Sequence, residues 1–257
     1  MSEEQSGKRR KTTPLSWFEW FLTAMLPCLL ILVLLPEILS AQRLSRRAQC
    51  QGNLKQMGMV FKMYSGESKG ERYPLLSAIP ENWVPDANAL YPEYLSDLSF
   101  MICPGHPEAS THRFTLRDTR EHPGATIGSQ HPECMSSRYY VYLGFSVADD
   151  YDALCVHDVL TQNGWAAHRE DDIRSALPYA LDQLSFSGGC AIMWDRVSLE
   201  PNGMAHSPLG ANVLFMDGHA EFRPYEPNAE EPGFPVTNVA AELFGRVSPY
   251  LSPDCAP

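Results

Sequence analysis

Between Leu15 and Leu35 the chain runs LSWFEWFLTAMLPCLLILVLL, 21 residues whose single charge is Glu19. About 20 apolar residues suffice to cross the hydrocarbon of a bilayer as a helix. A helix apolar on every side finds no ordinary place in a soluble domain. A cleavable signal peptide has a shorter apolar centre, and Ser40-Ala41-Gln42 makes a poor small-residue cleavage site. We therefore read residues 15–36 as an uncleaved membrane helix. Residues 1–14 are its polar, basic leader.

Charge divides the chain at the same place. The whole protein carries a net charge of -11 over 257 residues. Residues 1–62 hold nine basic side chains against four acids, a net +5, which leaves −16 on the remaining 195. A basic apolar leader on an acidic body implies two environments rather than one uniform globule. The acidic body disfavours nucleic acid, whose phosphates need basic partners. Lys8–Lys11 precede the span and Arg43, Arg46 and Arg47 follow it, so the balance leans only slightly toward a cytoplasmic N-terminus. Glu19 is costly inside a membrane and is a functional candidate by default. It also lies five residues into the run, within reach of the interface by snorkelling.

Helical periodicity continues past the span. Ile38, Ala41, Leu44 and Ala48 recur at three- and four-residue spacing, and Leu54, Met57, Phe61 and Tyr64 form a second stripe. Pro36 is placed to bend the helix at the membrane exit. The helix is expected to end near Ser65-Gly66, where glycine serves as a C-cap. Residues 37–66 are thus a helix extension, 67–223 a head, and 224–257 a Pro-rich, mostly irregular C-terminal tail.

This layout resembles type IV pilin-like proteins, including the pseudopilins of type II secretion. In that family a leader glycine precedes an apolar helix with a glutamate at its fifth position and a proline seventeen residues later. Leu15, Glu19 and Pro36 occupy those places, and Pro14 stands where the glycine is expected. The segment NLKQMG, which includes Asn53, Leu54 and Gly58, is similar to the family's helix continuation, and CPGH at Cys103–His106 to its Cys-Pro pair. AHSPLGANVLFMDGHAEF at Ala205–Phe222 resembles the signature of a pseudopilin-like group common in planctomycete- and verrucomicrobial-type bacteria. That signature is a histidine, nine residues and Asp-Gly; here ten residues separate His206 from Asp217-Gly218.

The resemblance implies an α+β, pilin-like fold, with the long N-terminal helix packed on a small antiparallel sheet with long loops. It further implies an inner-membrane, single-pass protein with its head in the periplasm. Its partners would be other pseudopilin-like subunits or secretion machinery, and it would have no enzymatic activity. Glu19's counterpart in the family is thought to meet the new N-terminal amine of a neighbouring subunit. Pro14 favours the alternative, a permanently anchored envelope binding protein that is never processed.

In the head, prolines from Pro74 to Pro132 break any long helix. Tyr139–Leu143 reads as a strand closed by Gly144, and Gly189–Asp195 as a second. Ala153–Leu160 and Asp171–Leu181 read as short helices. Asn212–Met216 and His219–Phe222 flank Asp217-Gly218, a two-residue hairpin signal in which Asp217 is the turn residue tolerating positive φ. Setting aside Cys28 in the span, six cysteines remain: Cys50, Cys103, Cys134, Cys155, Cys190 and Cys255. They allow 15 pairings, and disulfides fit a periplasmic head.

No signature of chemistry stands out. His206, Asp217 and His219 match no standard metal spacing, so no metal is expected there. Cys190 with His206 or His157 lacks a protease signature. The acidic runs Asp149–Asp152 and Glu170–Asp172 lack EF-hand spacing and read as solvated surface. Calcium, which some major pseudopilins bind, is the only cofactor candidate. Phosphate-loop, dinucleotide and metalloprotease motifs are absent from the sequence.

Overall fold

The computed structural model describes residues 16–68, 72–109, 114–162, 165, 190–200, 203–206, 209–226 and 233–255. The chain divides into two compact units, Met1–Gln42 and Arg43–Pro257. Helix α1, Trp17–Glu67, runs through 51 residues.

In the first unit α1 is apolar and bare. It is long and apolar enough to cross a membrane, and none of its most apolar window is buried. Residues Leu26, Leu29, Leu30, Ile31, Leu32, Val33 and Leu35 each expose more than half of their surface. Pro27 and Pro36 lie inside the helix, which continues through both. A proline removes one intrahelical hydrogen bond and crowds the preceding turn.

In the second unit the helix becomes the spine of a head. Cys50, Leu54, Met57 and Phe61 are buried at the spacing of one helix face, while Lys55, Gln56, Met59, Lys62 and Met63 stay exposed. The expected stripe is therefore present, with Tyr64 half-buried at its end. The helix stops at Glu67 rather than capping on Gly66.

The helix lies on a four-stranded antiparallel sheet: β1 Tyr140–Val147, β2 Ala191–Asp195, β3 Gly210–Phe215 and β4 Ala220–Pro224, in the order β1-β2-β3-β4. The architecture is α+β. Gly58 meets Leu214 on β3, where an added Cβ would stand 3.1 Å from Leu214 Cδ1. Phe61 packs on Tyr142 of β1 with ring centroids 5.0 Å apart. Every residue of β2 and β3 is buried, which follows from cover on both faces of the sheet. On the other side Trp194 packs on Phe234 and Phe244, and Phe244 on Trp83. Besides the short helix α2, Ala87–Leu90, the head has α3, Asp150–Gln162, and α4, Asn238–Phe244.

Four sequence expectations change. First, β1 continues through Gly144, which takes φ +72 at an irregularity in the β1–β2 register. Second, the hairpin is not a two-residue Asp-Gly turn. Gly218 N–H bonds to Phe215 O at 2.9 Å, so Met216 and Asp217 are the central pair and Gly218, at φ +91, carries the positive φ. That is a turn followed by a left-handed glycine, the usual three-residue solution.

Third, the stretch after 224 is mostly irregular in its described part, as expected, but it also packs into the core. It supplies α4 and the buried Phe234, Val236, Ala240, Ala241 and Phe244. Thr237 caps α4 by accepting from Ala240 N at 3.0 Å, and its hydroxyl donates to Asp150 at 2.6 Å.

Fourth, only four of the six cysteines pair. Cys50 bonds Cys103 and Cys134 bonds Cys255, with Cα–Cα separations of 5.2 and 5.3 Å. Cys155 and Cys190 are free, half-buried thiols, and Cys28 is free on the apolar helix. Burial raises the Cys190 thiol's pKa, and the charge of Asp152 adds to the effect. That disfavours the reactive thiolate.

Candidate functional site: a buried Asp195–His206 pair

Polar side chains inside a strand buried on both faces need partners, because an unpaired buried group costs about 1–3 kcal/mol. Asp195 ends β2 and Asn212 lies inside β3. Asp195 is the β1–β2 register partner of Tyr140, and Asn212 is the β3–β4 partner of Phe222. Arg47 of α1 covers Phe222, its guanidinium carbon 4.3 Å from the ring centre, and Asn212 Nδ2 donates to Arg47 O at 3.3 Å. A polar cross-strand row therefore runs beneath α1.

His206, in the connection before β3, completes the row. Its Nε2 lies 3.0 Å from Asp195 Oδ2, with side-chain exposures of 2% and 1%. The two side chains are in close buried contact. The same Oδ2 accepts from Asn212 N and Asn212 Nδ2, each at 2.7 Å. Two N–H groups thus converge on one oxygen beside the imidazole, while Asp195 Oδ1 and Asn212 Oδ1 are buried with no partner among the described residues. Asn212 Nδ2 also lies 3.2 Å from His206 Nε2. An amide nitrogen only donates, so His206 Nε2 accepts this bond.

The disulfide closes the same nest. Cys103 Sγ lies 3.5 Å from His206 Nε2. Gly105, two residues on, is glycine for a steric reason: a Cβ there would come within 2.6 Å of His206 Cε1. His106, the last residue of CPGH, sits 3.2 Å from Arg196 Nη2, and Arg196 Nη1 donates to Gly245 O at 2.9 Å. Tyr140 accepts a 3.4 Å bond from Asn53. Burial first, and then the Asp195 charge, hold its phenol well above the usual tyrosine range.

A cavity of about 570 Å³ opens beside this nest. Arg43 and Arg46 of α1, Gly105, Glu200, His206 and Tyr225 are among the residues that line it. Two guanidinium groups and an imidazole share one cavity with a carboxylate and apolar walls.

The structure separates the residues that the sequence grouped. His206 meets Asp195, Asn212 and Cys103, whereas Asp217 lies in the hairpin turn. There its carbonyl accepts from Lys62 Nζ at 2.9 Å and its carboxylate pairs with His219 Nδ1 at 2.5 Å. Hydrogen bonds from His219 hold the Asp217 carboxyl below its usual range. Asn53 anchors α1 by donating to Ile102 O at 3.0 Å, and Leu54 is fully buried beside it. Pro14 and Leu15 lie outside the described residues, as does the side chain of Glu19 in the first turn of α1. Asp171–Leu181 and Glu170–Asp172 also lie outside them. The acidic run at Asp149–Asp152 caps α3: Asp149 accepts from Asp152 N at 2.9 Å, and Asp152 from Ala148 N at 3.2 Å.

Asp195 and Asn212 were missed in the sequence. Their signal is a polar residue within or at the end of an otherwise apolar strand, AIMWD and GANVLF. No family model, curated protein or solved structure matches this chain.

Proposed function

We propose that the chain is a pseudopilin-like, single-pass membrane protein with a structural or secretion-associated role. In this reading residues 15–36 hold it in the inner membrane and its head stands in the periplasm. One observation carries the reading. A single helix, Trp17–Glu67, supplies an unburied apolar stretch and then, over Cys50–Phe61, the helical layer of an α+β head. Two disulfides favour an oxidising compartment for that head. The role is mechanical: the apolar segment packs against like helices, and the head presents its loops to partner subunits.

Pro14 favours a second reading, a permanently anchored envelope protein on the same architecture. The two differ at the mature N-terminus. Intact-mass measurement of the protein purified from its native membrane is expected to give a chain beginning at Leu15. A chain that retains Met1 or Ser2 would remove pseudopilin processing and leave the anchored reading.

A further inference from the structure

The donor set of the buried nest is richer than a salt bridge needs. Cys50 comes from α1, Cys103 from the CPGH loop, Asp195 from the end of β2 and His206 from the connection before β3. One ligand atom from each lies within 4.8 Å of the others, and all four residues are buried. Two sulfurs, an imidazole nitrogen and a carboxylate oxygen are a mixed set suited to Zn²⁺.

The spacing is near what zinc needs. Tetrahedral zinc bonds of about 2.3 Å to sulfur and about 2.0 Å to nitrogen and oxygen put ligand atoms roughly 3.3–3.8 Å apart. Cys103 Sγ and His206 Nε2, 3.5 Å apart, fall in that range, while His206 Nε2 and Asp195 Oδ2, 3.0 Å apart, would separate slightly around the ion. A second observation is independent of spacing. Asp195 Oδ1 is buried without a partner among the described residues, while Oδ2 takes two donors from Asn212 and touches His206 Nε2. Asn212 holds Asp195 as an outer-shell group holds a metal-ligating carboxylate.

We propose that the reduced head holds one Zn²⁺ ion between Cys50, Cys103, Asp195 and His206. The disulfide and the ion are alternative closures of one site. A dithiol reductant opens it: the Cys50–Cys103 bond takes two electrons and two protons, and the reductant becomes a disulfide. Zinc then binds both sulfurs, which release those two protons, and His206 binds it through its unprotonated Nε2, the ring keeping its proton on Nδ1. Reoxidation by a disulfide-forming oxidant re-forms the S–S bond and expels the ion.

The test uses the full chain in detergent, carrying Cys134→Ser and Cys255→Ser so that only one disulfide responds. The protein is reduced with a water-soluble phosphine, which ends as its oxide with oxygen from water, and is titrated with Co²⁺ as a spectroscopic stand-in. The expected result is one equivalent bound, with the strong visible absorption of tetrahedral thiolate coordination, displaced by Zn²⁺. The oxidised protein is expected to give no such spectrum. Cys103→Ser or His206→Ala should weaken binding by more than about 100-fold, and Asn212→Ala, as an outer-shell change, by roughly 10–100-fold. Circular dichroism on each variant separates lost ligation from lost folding, and Asp195→Asn, close in shape, repeats the ligand test if alanine variants unfold. Absence of stoichiometric binding to the reduced, folded protein overturns the proposal. So does a spectrum that survives in a folded Cys103→Ser variant.

Discussion

Asp195→Ala is expected to destabilise the head by about 3–5 kcal/mol, since two buried N–H groups lose their acceptor at about 1–3 kcal/mol each. The cause is the two N–H groups that Asp195 Oδ2 accepts, Asn212 N and Asn212 Nδ2, together with its close contact with His206 Nε2. Alanine takes this acceptor from both and opens a gap between β2, β3 and the loop that carries His206. For a head of this size the loss corresponds to a fall in Tm of roughly 6–20 °C. Asp195→Asn keeps one acceptor oxygen and should cost less. His206→Ala in the Asp195→Ala background should cost little more, because the pair acts as a unit. Thermal unfolding of the four variants in detergent reads the cycle. Additive losses would show that the two residues are not coupled.

Removing the second disulfide has the other large effect. Cys134 and Cys255 are 121 residues apart in the chain, and closing a loop of that length restricts the unfolded chain by up to about 5 kcal/mol on the entropic estimate. Measured losses for native disulfides run at about 2–5 kcal/mol. Cys134→Ser with Cys255→Ser is expected to fall in that range by urea denaturation. The C-terminal segment should loosen first, since Cys255 ties the chain end that carries α4 and its buried Phe244. Limited proteolysis is expected to cut this double variant between 224 and 255 before it cuts elsewhere. An unchanged midpoint and cleavage pattern would mean that α4 is held by packing alone.

What was legible in the sequence was local. The apolar run from Leu15 to Leu35 and the stripe Leu54, Met57 and Phe61 each repeat within one helix, and their period is visible without any partner. The strands and the hairpin were found near their true positions for the same reason. Their finer geometry was not. The turn around Asp217-Gly218 depends on which residues close the ladder, and Gly144 extends β1 because β2 pairs beyond it.

The buried nest was illegible for a different reason. Asp195, His206, Asn212 and the Cys50–Cys103 bond come from four distant stretches of chain, and no spacing rule links them. The family resemblance marked His206 together with Asp217, but the fold sends the two to separate places. The cysteine count suggested three bridges where two form, because pairing depends on Cα separation rather than on number. The residues after 224 read as irregular from their prolines, although Phe234, Val236 and Phe244 carry an apolar signal that the core uses.

Both readings of the function rest on the same claim, that residues 15–36 anchor the chain and leave the disulfide-bonded head outside the cytoplasm. Protease treatment of intact spheroplasts, followed by mass analysis of the membrane-embedded remainder, tests it directly. The account predicts that the head is degraded and that a fragment containing Trp17–Leu35 is protected. A full-length chain that resists protease until the cells are lysed, or that washes off the membrane at alkaline pH, would contradict it.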